Sequence, residues 1–414
     1  MKLSNLFKGD PVIWVIYFFL CAISLIEIFS AGAQLSFSGE SFWAPLERQA
    51  LFLGLGTVII IFFHNIPPRF FKIIPIIMLP ISAILLVLAM IVGSKNDGGR
   101  WLPLPFGLSF QPSEIAKGVV IVSVALVLAR LQRKEGTESR AIKYILVITG
   151  VIGFLILTEN FSTAALLFLV VYLMMYIGRV PWRQMLKLSG ALLLGVIAVA
   201  AVVLLPPKDS FVYKLPMTHR AITWRNRIES HSARPVNPKD YDYQNHRQEA
   251  HANLAIVTSN YVGKMPGNSE QRDFLALAYA DFIYSIIIEE MGLWGGGFVA
   301  FLYIVLLFRA GRIASRCERN FPAFLAMGLA LLLVIQAMVN MFVATGLIPV
   351  TGQPLPLISR GGTATLITCM YFGMILSVSR YARKTKERND PFDRGRKAAA
   401  AVAVEDSEDV EKAE

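Results

Sequence analysis

Apolar residues in this chain run in long, nearly unbroken blocks, not in the short periods of a half-buried helix or strand. The blocks fall at about 12–31, 46–63, 71–93, 112–131, 143–158, 160–178, 184–205, 281–308, 321–345 and 361–381. A helix crosses the roughly 30 Å hydrocarbon core with about 20 such residues. The pattern therefore predicts an all-α polytopic membrane protein with about ten transmembrane helices. The first block has some outline of a cleavable signal, with Lys2 and Lys8 before it and Ser30-Ala31-Gly32-Ala33 after it. It is too long for a usual signal core, and nine more blocks follow, so it reads as a retained span. Composition agrees: 55% of the 414 residues are hydrophobic and only 17% are charged, against about 45–50% and about 25% in soluble domains. That excludes a disordered chain, a collagen, a disulfide-rich secreted domain and a cytosolic enzyme.

The net charge of +11 matters through its placement. With the N-terminus in the cytoplasm, the inner segments collect Arg69 and Lys72, the group from Arg130 to Lys143, the group from Arg179 to Lys187, the group from Arg309 to Arg319, and the tail from Arg380 onward. Short outer segments carry few cations, as the positive-inside rule requires. Both termini are then cytoplasmic. The ten-span unit covers 1–381 and contains one large extracytoplasmic loop, 206–280. Weak helical patterning marks His246 to Thr258 in that loop, and Gly263, Pro266 and Gly267 mark a turn-rich stretch after it. Residues 382–414 are polar, end in an acidic run from Glu405, and read as a disordered cytoplasmic tail. Cys21, Cys317 and Cys369 have neither disulfide-framework nor metal-site spacing.

Ionisable groups inside a membrane cost several kcal/mol unless paired or hydrated, so each raises a functional question. Glu114 and Lys117 stand at i and i+3 on one helix face, either as a self-satisfying ion pair or as the wall of a polar cavity. Glu289 and Glu290 are placed about 12–13 Å deeper than Asp281 on a continuous helix. Gln336 and Asn340, at i and i+4, suit interhelical hydrogen bonds. Glu27 is expected to reach water at the outer end of its span. Asp281 opens the eighth block just after the large loop. There it is either a helix N-cap or a general base tuned by partial desolvation. Arg100 and Arg360 lie beside glycines in outer segments, a combination that suits an anionic headgroup, although either could equally snorkel to ordinary phospholipid. The sequence contains no phosphate-binding loop, no zinc motif, no nucleophile elbow and no dinucleotide fingerprint.

Three ordered blocks carry a resemblance. Gly99-Arg100-Trp101 is followed by Gln111-Pro112-Ser113-Glu114-Ile115-Ala116-Lys117. Asp281-Phe282-Ile283-Tyr284 is followed by Glu289-Glu290-Met291-Gly292. Gln336-Ala337 and Asn340 are followed by Gly346-Leu347-Ile348-Pro349-Val350-Thr351-Gly352 and Leu355-Pro356-Leu357-Ile358-Ser359-Arg360-Gly361-Gly362. Together they resemble the SEDS family (shape, elongation, division and sporulation proteins) of polytopic peptidoglycan polymerases, and its division branch more than its elongation branch. One segment departs: Thr158-Glu159-Asn160-Phe161-Ser162-Thr163 stands where the family usually has Gln-Pro-Asp-x-Gly-Thr.

The resemblance implies a glycosyltransferase that polymerises lipid II at the outer face of the cytoplasmic membrane, at the division septum. It implies Asp281 as catalytic base. Arg100, Trp101, Glu114, Lys117, Ser359, Arg360, Gly361 and Gly362 would bind substrate, with Glu289, Glu290, Gln336 and Asn340 in support. No metal ligand is assigned, but a divalent cation, Mg or Mn, could share the stabilisation of pyrophosphate. The implied partners are lipid II, a class B penicillin-binding transpeptidase and other divisome membrane proteins, with no nucleic acid. The alternatives are a lipid II flippase and a polymerase of the elongation branch.

Overall fold

The computed structural model describes residues 7–32, 43–92, 101–103, 109–204, 224–226, 228–229, 247–275 and 280–389. The apolar blocks fold as helices: α1 (Pro11–Gly32), α2 (Ala44–Asn65), α3 (Ile74–Val92), α4 (Pro112–Arg130), α5 (Arg140–Glu159), α6 (Phe161–Ile177), α7 (Trp182–Leu204), α9 (Ile283–Ser315), α10 (Asn320–Ala344) and α11 (Thr363–Asn389). The helix α8 (Arg247–Val257) lies in the large outer loop. Nine of the ten apolar helices are at least 18 residues long, and α6 has 17, within the spanning range of about 17–25. Among the described residues the only strands are two short antiparallel hairpins, β1 (Leu102–Pro103) with β2 (Ser109–Phe110), and β3 (Gln132–Arg133) with β4 (Gly136–Thr137). The expected all-α polytopic architecture is what the chain adopts.

Local signals explain several helix ends. Pro112 opens α4, where its missing N–H costs nothing. Glu114 follows in the first turn and Arg130 closes the last, which matches the helix dipole. Only Asn160 separates α5 from α6, and its side chain caps α6 by accepting from the Thr163 N–H at 3.3 Å. Residues 382–389 extend α11 instead of starting a tail, because Ala, Arg, Lys and Glu dominate them and favour helix. The remainder of the expected disordered tail lies outside the described residues.

Burial orders the bundle. The spans within α4, α11 and α10 are 83%, 78% and 61% buried, whereas that of α7 is 6% buried. Polar groups on α4 therefore cannot reach lipid and must be satisfied by neighbouring helices, while α7 lies at the lipid-facing edge. The cytoplasmic end is tied by Asp10 with Arg309, by Arg380 with Asn65, and by Thr137 with Gly178.

The long helix α9 breaks at Gly292, whose φ of 72° lies in the left-handed region. Residues 283–291 form a short arm and residues 293–315 the spanning arm. The Leu293 and Trp294 amides donate to the carbonyls of Asn260 and Tyr261, so the spanning arm starts afresh with loop carbonyls on its first N–H groups. The loop and the break also meet backbone to backbone, as Lys264 and Met265 donate to Glu289 and Glu290. A Cβ on Gly292 would collide with the Tyr261 carbonyl.

This hairpin reverses the depth expected for the acids. The Asp281 carbonyl meets Asn340, and Ser285 meets the Ala344 carbonyl one turn further out on α10. The short arm therefore climbs outward, with Asp281 at its deep end and Glu289 and Glu290 at its shallow end. Glu27 does not reach water either: it is fully buried, and both its oxygens lack hydrogen-bond partners among the described residues.

Candidate active site

Two separate polar clusters occupy the outer half of the bundle. The first is built on α4, the short arm of α9, α10 and the loop 353–359. Lys117 is completely buried and pairs with Glu114 at 2.9 Å. It also donates to the Gln336 side-chain oxygen at 2.8 Å. Gln336 in turn donates to the Pro354 carbonyl at 3.2 Å. One turn outward, the Asn340 amide donates to two carbonyls, those of Gln353 at 2.8 Å and Asp281 at 3.0 Å. Ser359 accepts from the Leu355 N–H at 2.8 Å and donates to the Ala280 carbonyl at 2.6 Å. Hydrogen bonds from two elements thus pin consecutive carbonyls at positions 280 and 281.

Asp281 itself is partly exposed and stands just before Phe282, the N-cap residue of α9. It is therefore not the helix cap that its position before a long apolar run allowed. A rigid backbone frame holds a solvent-reachable carboxylate at the deep end of the short arm. The loop that completes the frame is conformationally costly: Leu357, a non-glycine, has φ of 67°, a region that costs about 1–3 kcal/mol. It is held by Tyr303, which donates to the Pro356 carbonyl, and by Ser24, which donates to that of Ile358 at 3.0 Å.

The other expected substrate contacts distribute as follows. Arg360, Gly361 and Gly362 follow directly on Ser359 and are partly exposed. Thr363 donates to the Ser109 carbonyl at 3.0 Å, so this segment sits against the β1–β2 hairpin that Trp101 precedes. Arg100 lies outside the described residues. Glu289 and Glu290 form the second cluster and are not brought to Asp281. Glu289 accepts from the Ser269 hydroxyl, the Glu270 and Gln271 amides and Lys264. Glu290 accepts from Ser30 and the Ser269 amide. Desolvation disfavours the Lys264 ammonium, but Glu289 and Glu270 outweigh it and raise its pKa. These acids anchor the outer loop.

Sequence reasoning missed Gln353, Thr163 and Tyr371. Gln353 donates to the Thr163 hydroxyl at 2.7 Å, tying the loop to α6. Tyr371 donates to the Glu114 carbonyl at 2.6 Å. The departing segment around Asn160 thus belongs to the frame of the first cluster, as cap of the helix that presents Thr163. Among the described residues no three His, Cys, Asp or Glu side chains are grouped to hold a metal ion.

A sequence profile of the FtsW, RodA and SpoVE cell cycle proteins matches residues 11–384. The chain belongs to this cell cycle protein family. It is 29% identical over 381 residues, 90% of each chain, to the probable peptidoglycan glycosyltransferase FtsW of Halomonas elongata. It is 30% identical over 382 residues, 90% of this chain and 98% of its relative, to the stage V sporulation protein E of Bacillus subtilis. The family fold is also that of a solved chain from a peptidoglycan synthase complex, described for its coordination of polymerization and crosslinking. That match has a TM-score of 0.68 at 24% identity, over 91% of this chain and 99% of the other.

Proposed function

We propose that this chain is a peptidoglycan glycosyltransferase that polymerises lipid II on the outer face of the cytoplasmic membrane, with Asp281 as general base. The acceptor sugar hydroxyl attacks the anomeric carbon of the donor, the C–O bond to the lipid pyrophosphate breaks, and the hydroxyl proton passes to the Asp281 carboxylate. Arg360, partly exposed beside Gly361 and Gly362, is the cation that would meet the pyrophosphate as negative charge develops on it; Arg100 is its candidate companion. Lys117 has a different task. Its charge is already engaged by Glu114 and Gln336, so it positions the loop behind Asp281.

The observation that carries this reading is the double pinning of the Ala280 and Asp281 carbonyls, which fixes one partly exposed carboxylate at the outer mouth of the bundle. The described side chains do not make a protein-only metal cage, so no step passes through a cation; Mg or Mn would take its oxygens from pyrophosphate and Asp281. The glycosyltransferase and synthase-complex relatives support a class B penicillin-binding transpeptidase as partner and the septum, with other divisome membrane proteins, as the place of work. The test is polymer formation from purified lipid II. Asp281→Asn should insert and unfold like the parent yet lose at least about 100-fold in rate. Undiminished polymerisation by that variant would remove the mechanism.

A further inference from the structure

At the opposite, cytoplasmic end lies a cavity of about 270 Å³, lined among others by Lys72, Arg130, Glu318, Arg319 and Phe321. It sits where the C-terminus of α4, the 3-10 turn Pro68–Ile73 and the N-terminus of α10 converge. Three cations line it against one carboxylate. Arg130 and Arg319 make no ion pair or hydrogen bond with a described residue. Lys72 lies over the Phe321 ring at 5.6 Å, which leaves its charge uncancelled. The 25-residue helix α10 points its N-terminus into the same space, with no acid in its first turn and no side-chain cap. Positive charge, free helix N–H groups and a preformed space coincide at the level of the inner headgroups.

We propose that this cavity binds the phosphodiester headgroup of an anionic phospholipid from the cytoplasmic leaflet. The shared chemistry is a phosphate anion, and the lining favours the lipid-borne form. Leu126, Ala129 and Phe321 complete the wall, giving apolar contact to a glycerol backbone and its chains that a free phosphate would not use. Basic recesses between helices on the cytoplasmic side suit such headgroups on general electrostatic grounds. A lipid there would bridge α4, whose outer end carries Glu114 and Lys117, to the start of α10, which carries Gln336 and Asn340. It would thus brace the two helices that hold the candidate active site.

The test is native mass spectrometry of the full chain in detergent, titrated with phosphatidylglycerol and, separately, phosphatidylcholine. Phosphatidylglycerol should bind more tightly than phosphatidylcholine, and the double variant Arg130→Gln/Arg319→Gln should weaken it about tenfold or more. The pair Arg312→Gln/Arg316→Gln, on the same face but outside the cavity, should leave it unchanged. Arg319→Gln alone, an exposed substitution, should weaken it in the same direction and serves if the double variant does not fold. Millimolar inorganic phosphate should not displace the lipid. Equal affinity for the two lipids, an equal loss in the control pair, or displacement by inorganic phosphate would each overturn the proposal.

Discussion

Lys117 and Glu114 show how a buried charge is tolerated at the centre of a membrane bundle. Neither could survive alone on a helix that lipid does not touch. Together, with Gln336 accepting a further proton from the ammonium, they are satisfied. Removing one partner leaves the other charge buried and uncompensated, which costs about 3–5 kcal/mol. Lys117→Met should therefore lower stability by that order in detergent unfolding experiments. The double variant Glu114→Gln/Lys117→Met should recover part of the loss, and a double-mutant cycle measures the coupling. This pair was legible in the sequence because i, i+3 spacing puts two side chains on one face whatever the surroundings. Gln353 and Thr163 were not. A glutamine in a loop and a threonine in an apolar helix are ordinary residues, and only packing across 190 positions makes them partners.

At the scale of elements, the break in α9 decides the geometry. The apolar run from Phe282 to Phe308 is continuous, so hydropathy alone draws one straight helix with Glu289 and Glu290 deep inside it. Gly292 turns it into a hairpin, lifts both acids to the outer loop and leaves Asp281 at the deep end. The signal was present only as a glycine beside further glycines at 295–297, which any close-packed membrane helix also shows. The reversal depends on what lies opposite Gly292, namely the Tyr261 carbonyl, and no local pattern encodes that. Gly292→Ala should therefore be far worse than a helix substitution. Its Cβ meets backbone, and its φ strains any L side chain by about 1–3 kcal/mol. The expected outcome is a lower unfolding temperature and lost polymerisation together, measured on the same preparation. A variant with parental stability and activity would show that the two arms do not need this turn.

Over the whole molecule, hydropathy and Lys/Arg placement carried most of the architecture. Ten apolar blocks became ten apolar helices, because in a bilayer each backbone polar group must be satisfied within its own segment. What they could not carry is which helices surround which. The core position of α4 and the edge position of α7 follow from side-chain fit and not from apolar content. That arrangement also bears on the alternative of a flippase. The acids that motivated it do not line one path: Glu114 is closed off with Lys117, and Glu289 and Glu290 hold the outer loop. The account instead rests on position 281 facing an outer cleft where substrate sits. The most direct measurement is labelling of Asp281→Cys, in a background lacking Cys21, Cys317 and Cys369, by a membrane-impermeant maleimide in right-side-out vesicles. Rapid labelling that lipid II suppresses is the predicted result; labelling only after the cytoplasmic face is opened, or labelling indifferent to lipid II, would contradict it.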